Sequence, residues 1–257
     1  MATVTNSKAK SGESWSEVLR TIVTIGLAVI LLRTFAFEPF NIPSGSMIPT
    51  LLIGDYVFVS KYSYGFSRYS FPLIHPPFQG RILGRLPARG DVAVFKFPND
   101  PSIDYIKRIV GLPGDKLQMI NGVLNVNGQP VTLKRTEDFI DGEYRQNLTT
   151  AQFLETLPNG ITHPIIKRDS MGSNPLDNTP VFDVPADSVF AMGDNRDNSS
   201  DSRVPPRDGG VGFVPLENLV GRAEFRFFSY DGNVAPWYEF WEWPWAIRFS
   251  RMFTAVH

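Results

Sequence analysis

Cysteine is absent from the sequence. A thiol nucleophile, a disulfide framework and a thiolate metal site are therefore excluded together. Histidine is scarce, with His75, His163 and His257 the only three. The first two each precede a proline in loop-like sequence, and the third is the last residue. No HExxH or paired-His spacing exists, which argues against a zinc hydrolase, and no metal is expected. A Ser-His-Asp triad would have to recruit one of these loop histidines. Neither sign of charge dominates. The 25 Lys and Arg against 26 Asp and Glu leave a formal net charge of -1 and no electrostatic footprint for nucleic acid. What the chain does contain is 42% hydrophobic residues, enough for a real core. Its 21 Gly and 21 Pro, set among short β-branched runs, point to turn-rich β structure.

The apolar residues concentrate first near the N-terminus. Residues 1–17 read as a polar tail. Residues 18–37 form an apolar stretch with Arg20 and Arg33 near its ends, long enough to cross a bilayer as a single helix. A buried soluble helix fits less well, because the apolar residues run all round rather than along one stripe. A cleaved signal peptide is the other alternative, with Thr34-Phe35-Ala36 as a small-x-small site. The expectation is an uncleaved anchor. Lys8, Lys10 and Arg20 on its N-terminal side place the N-terminus in the cytoplasm and the remainder outside.

Beyond residue 38 the pattern changes to short strands, expected at 55–60, 91–97, 105–110, 189–192 and 220–228. Two Asn-Gly pairs, at 121–122 and 127–128, flank Val123-Leu-Asn-Val126 and predict a tight meander. From about 134 to 183 the periodicity fades into an inserted cap or long loops. The expected division is a β core at 38–120 and 185–257, with 121–184 as the cap. Four of the five tryptophans fall in 237–245. That segment is either core or lid packing, or an aromatic surface at a lipid bilayer.

Three blocks carry the chemistry. The first is Ser44-Gly45-Ser46-Met47-Ile48-Pro49-Thr50-Leu51, close behind the apolar span. The glycine lets a substrate backbone approach, and the proline stiffens the turn. The second is Asp104-Tyr105-Ile106-Lys107-Arg108, followed by Gly111-Leu112-Pro113-Gly114-Asp115. Strand alternation puts Tyr105, Lys107 and Ile109 on one face, where Lys107 is either a surface charge or a desolvated amine able to act as a base. The third runs from Gly193-Asp194-Asn195 through Ser199 and Asp201 to Arg203, a loop tied by its own hydrogen bonds. Calcium is an alternative there, although the EF-hand spacing is missing.

In this order, behind one membrane span, the three blocks strongly resemble the type I signal peptidases. The resemblance implies a mostly β fold, with an antiparallel β-sheet catalytic core, an inserted β/loop cap and a single N-terminal transmembrane helix. It implies a serine endopeptidase that removes signal peptides from preproteins after small residues at P3 and P1, without a cofactor. Ser46 would be the nucleophile and Lys107 the general base. Ser44 would complete the oxyanion hole with the Ser46 N–H. Ser199 would orient Lys107, and Asp201 and Arg203 would pair structurally. Phe40, Ile42, Met47, Leu51, Val94, Tyr105 and Ile106 would line the substrate pockets. Residues 91–97 would be the edge strand to which substrate adds. The implied location is the bacterial inner (cytoplasmic) membrane, single-pass, with the catalytic domain on the outer, periplasmic face. Residues 204–210 form a longer link than the family's usual one.

Overall fold

The computed structural model describes residues 14–71, 76–141, 148–232, 234, 238–239 and 241–256. His75, His257, Trp237 and most of the polar tail lie outside the described residues. The apolar run folds as α1, Trp15–Phe35. Glu17 in its first turn and Arg33 in its last complement the helix dipole. At about 1.5 Å per residue the helix spans about 31 Å, the thickness of a hydrocarbon core. Its Leu, Ile and Val side chains are exposed, Val18 alone being half-buried, and Thr34 is its one buried residue, so none of the described residues forms a surface that covers it. The helix starts and stops earlier than the expected 18–37, because Phe37 already opens a strand. Phe35 docks edge-on against Phe66 at 5.5 Å, and Ala36 O accepts from Lys61 N.

The strands, in chain order, are β1 (Phe37–Asn41), β2 (Asp55–Ser60), β3 (Val92–Phe97), β4 (Asp100–Gly111), β5 (Lys116–Ile120), β6 (Val123–Val126), β7 (Gln129–Pro130) and β8 (Thr132–Arg135). They continue as β9 (Phe139–Asp141), β10 (Leu148–Thr156), β11 (Thr162–Lys167), β12 (Phe182–Asp183), β13 (Ser188–Met192), β14 (Val214–Pro215), β15 (Leu219–Ser229) and β16 (Thr254–Ala255). The main sheet has the order β1-β2-β15-β3-β4-β13-β14, with β16 on β15, and its pairings are antiparallel. Two smaller sheets, β12-β5-β6-β7 and β11-β10-β8 with β9 on β10, make up the cap. The mostly antiparallel β fold behind one apolar helix agrees with expectation. The predicted meander is β5-β6-β7, turning at Asn121-Gly122 and Asn127-Gly128 with φ positive at all four residues.

Two expectations need correction. The boundary at 121 cuts the β5–β6 hairpin, in which Ile120 faces Val123. Within 134–183 the cap combines strands with loop, as a β/loop cap should; β10 alone has nine residues and pairs with β8, β9 and β11. Finally, 91–97 is no edge. β3 is hydrogen-bonded to β15 on one side and β4 on the other, so neither side can accept a further strand. The free edges are elsewhere. Among the described residues β1 pairs only with β2, and β4 meets β13 only at Arg108, Ile109 and Gly111. Residues 40–46, from the end of β1 into its extension, and 104–107 of β4 line one gap. Beneath lies a core of Ile42, Met47, Leu51, Val57, Val59, Val92, Val94 and Val220.

Candidate active site

Residues 45–47 form a single 3-10 turn at the end of the β1 extension, with Ser44 extended before it. Met47 and Leu51 are fully buried in the core below, which plants the turn while Ser44 stays exposed at the rim. Ser46 sits at the floor of a gap of about 540 Å³, lined by Phe40, Ile42, Ser44, Val94, Tyr105, Ile106 and Lys107 among others. Five of the seven expected pocket residues are therefore there. Met47 and Leu51 are not, because the turn points them inward to anchor it.

Lys107 reaches Ser46 from β4, 61 residues away. Its Nζ donates to Ser46 Oγ at 2.7 Å and to Ile106 O at 3.0 Å, and stands 5.1 Å from the centre of the Tyr105 ring. At 3% exposure it is the desolvated amine, not the surface charge. Burial lowers its pKa to about 8, against the raising influence of Asp201 and Asp194. With the amine neutral the short contact runs the other way, Ser46 O–H donating to Nζ.

The third block folds around this pair. Arg203 holds Asp201 through Nε at 2.9 Å and Nη2 at 2.9 Å, as expected, and Asp201 Oδ2 accepts from Gly193 N. Arg108 grips Asp194 in the same two-pronged way at 2.9 and 2.7 Å, and Thr50 Oγ1 donates to Asp194 as well. Burial raises the Asp194 carboxyl, but Arg108 and Thr50 more than offset this and hold it below the usual range. The expected Ser199 contact differs. Lys107 spends its hydrogen bonds on Ser46 and Ile106, and the buried Ser199 Oγ has no partner among the described residues. Ser199 and Ser46 nonetheless pack on the same glycine: a Cβ on Gly193 would stand 2.3 Å from Ser199 Oγ and 2.5 Å from Ser46 O.

Of the three histidines only His163 is described, and it is on β11 rather than in a loop. It is buried with Nε2 3.4 Å from Glu155 and 3.8 Å from Asp194, so it serves the cap and not Ser46. Burial and the nearby Arg108 push its imidazole down, leaving it neutral at pH 7. No group of three or more potential metal ligands occurs among the described residues. The carboxylates of the third block are occupied by Arg108, Arg203 and Lys167, which leaves no free cluster for calcium.

With a buried lysine bonded to a serine that lines the gap, the comparisons with known proteins can be set beside the geometry. The family model described as signal peptidase, peptidase S26, matches residues 15–228. The chain belongs to this family. Signal peptidase I of Rickettsia canadensis is 37% identical over 99% of this chain and 97% of its own. That of Rickettsia prowazekii is 42% identical over 89% of each. A solved signal peptidase I from Enterococcus faecalis aligns with 54% of this chain and 97% of its own at 26% identity and a TM-score of 0.30. The fold of this signal peptidase therefore rests on its own strand pairing. Sequence reasoning gave no role to Glu155, Lys167 and Arg196 and considered Asn195 only within the calcium alternative; all four are buried around the third block. The one available signal was the crowding of Asp, Asn and Arg in residues 194–198.

Proposed function

We propose that this membrane-anchored serine endopeptidase cuts preproteins after small residues by a Ser46–Lys107 mechanism. The observation that carries the reading is the 2.7 Å contact between Ser46 Oγ and a buried Lys107 Nζ. A preprotein segment enters extended and fills the gap between the β1 extension and β4, making main-chain bonds to the two free edges. Phe40, Ile42, Val94, Tyr105 and Ile106 crowd the gap and leave room for Ala or Gly at P1 and small residues at P3. Ser46 Oγ attacks the scissile carbonyl as its proton passes to Lys107 Nζ. The oxyanion receives the Ser46 N–H, which at the start of a helical turn has no place in the intrahelical ladder, and the Ser44 hydroxyl. The C–N bond breaks as Lys107 returns the proton to the leaving amine, leaving the signal peptide as an ester on Ser46. Water then attacks the ester, giving its proton to Lys107; the acyl–Oγ bond breaks as Lys107 returns that proton to Ser46 Oγ, and the signal peptide leaves as a carboxylic acid that ionises in solvent. Ser199 is proposed to accept the second N–H of the amine, its own hydroxyl being buried and without a partner among the described residues.

The anchor reading rests on α1, exposed and apolar all round, running directly into β1. We place the N-terminus in the cytoplasm and the catalytic domain on the outer face of the bacterial inner membrane. Trp245 in α2 (Trp243–Ala246) and Trp241 and Phe249 to either side of it, all exposed, are proposed to meet the lipid headgroups. The test is cleavage of a preprotein by purified protein in detergent, with the cut site read by mass spectrometry. The expected cut follows Ala or Gly, Phe at P1 blocks it, and Ser46→Ala is inert yet folded. Full activity of Ser46→Ala would overturn the assignment.

A further inference from the structure

The turn that carries Ser46 is one helical turn long and has little hydrogen bonding of its own. Its direction matters, because a small rotation swings the Ser46 N–H away from the place where an oxyanion forms. What fixes it is a residue of the third block. Asn195 Nδ2 donates to Gly45 O at 2.9 Å, and Asn195 N donates to Ser46 O at 3.1 Å. One side chain and one main-chain N–H thus pin the two consecutive peptide planes on either side of Ser46. The peptide between Gly45 and Ser46 is planar, with C=O and N–H on opposite sides. Holding Gly45 O against Asn195 therefore turns the Ser46 N–H the other way.

Asn195 is itself held from the cap. It is 0% exposed. Ile166 of β11 grips both of its neighbours in a parallel bridge: Ile166 N donates to Asp194 O and Arg196 N donates to Ile166 O, both at 3.0 Å. Buried ion pairs brace the same stretch. Arg196 binds Glu155 of β10 through Nη1 at 2.8 Å and Nη2 at 2.5 Å, and Lys167 of β11 binds Asp197 at 2.7 Å and Asp177 at 2.6 Å. Asp194 adds its two bonds from Arg108, the residue after Lys107. A buried charge left unpaired is costly, so this lattice allows residues 194–197 few alternative positions.

We propose that Asn195 is the positioning residue for the nucleophile, and that the β10–β11 pair of the cap exists in part to hold it. The proposal rests on the reading of Ser46 as nucleophile. It gives the inserted cap a task in the reaction without any contact with substrate.

Asn195→Ala removes the side-chain bond to Gly45 O and leaves the main-chain bond to Ser46 O. In the full-length protein in detergent, with a preprotein substrate, kcat should fall about 10²-fold, the usual cost of a misaimed oxyanion donor or a small misplacement. KM should stay within about twofold, and the pH limb should stay where it is in the unsubstituted protein, because Lys107 is not touched. A residue that only supports the fold would lower the melting temperature and leave kcat of the folded fraction unchanged; that result overturns the proposal. If Asn195→Ala does not fold, Asn195→Ser decides: reduced kcat with unchanged KM supports the assignment, and unsubstituted kcat overturns it. Ser46→Ala run alongside separates the two readings. An active Ser46→Ala removes the nucleophile, whereas an inert one beside a fully active Asn195 variant removes only the positioning role.

Discussion

Replacing Lys107 tests the chemistry and the energetics at once, with opposite signs. The fall of its pKa from 10.5 to about 8 has burial as its main cause and corresponds to about 3 kcal/mol between the charged and neutral forms. At pH 7 a lysine at 10.5 is neutral in roughly 3 of 10⁴ molecules, and one at 8 in roughly a tenth. The protein thereby gains about 300-fold in available base. It does so at the expense of stability. A base whose folded pKa lies below its unfolded value binds fewer protons in the native state between the two. The cost is therefore fully present below pH 8 and is relieved as pH rises from 8 through 10.5. Lys107→Met should thus abolish cleavage while raising the unfolding free energy at pH 7 by up to about 3 kcal/mol. That gain should shrink in melts taken from pH 8 to 10.5. Lys107→Arg should be inert, because a guanidinium keeps its proton at any working pH. In the unsubstituted protein kcat/KM should rise tenfold per pH unit and level off near 8. A limb near 10, or an active Lys107→Arg with an unchanged profile, would refute Lys107 as the base. A Lys107→Met protein less stable at pH 7 would refute the desolvation account.

Ser44→Ala should lose about 10²–10³ in kcat with little change in KM, since its hydroxyl meets charge present only in the transition state; an effect confined to KM in steady-state assays would remove it from that role. Deleting residues 1–35, which leaves β1 whole, should give a competent catalytic domain that still co-sediments with lipid vesicles, held by exposed Trp241, Trp245 and Phe249. A domain that ignores both vesicles and detergent would show that this aromatic surface has another use.

Ser46, Lys107 and the apolar helix were legible because each lies in a local pattern: a Ser-Gly-Ser turn, a lysine in an apolar strand, an apolar run. Even so, the strand alone left Lys107 open between a surface charge and a desolvated amine. Its hydrogen-bond partner is a serine 61 positions away, and the specific motif blocks supplied that link. Residues 91–97 show a signal that was present and passed over. Val92-Ala-Val-Phe95 is apolar at four consecutive positions and buried at all four. A strand covered on both faces lies inside a sheet, whereas an edge that accepts substrate shows alternation. The buried charges of the cap had no such signature. Glu155 meets Arg196 across 41 residues, and Lys167 meets Asp197 across 30. In sequence each is a polar residue in weakly periodic surroundings, which local pattern assigns to a solvated loop. Only the partner makes burial affordable, and sequence spacing does not reveal it. The same holds for Asn195: its meaning comes from two carbonyls some 150 residues earlier in the chain. The chemistry of this site is thus written locally, while its aim is set by contacts that exist only once the cap has folded against the core.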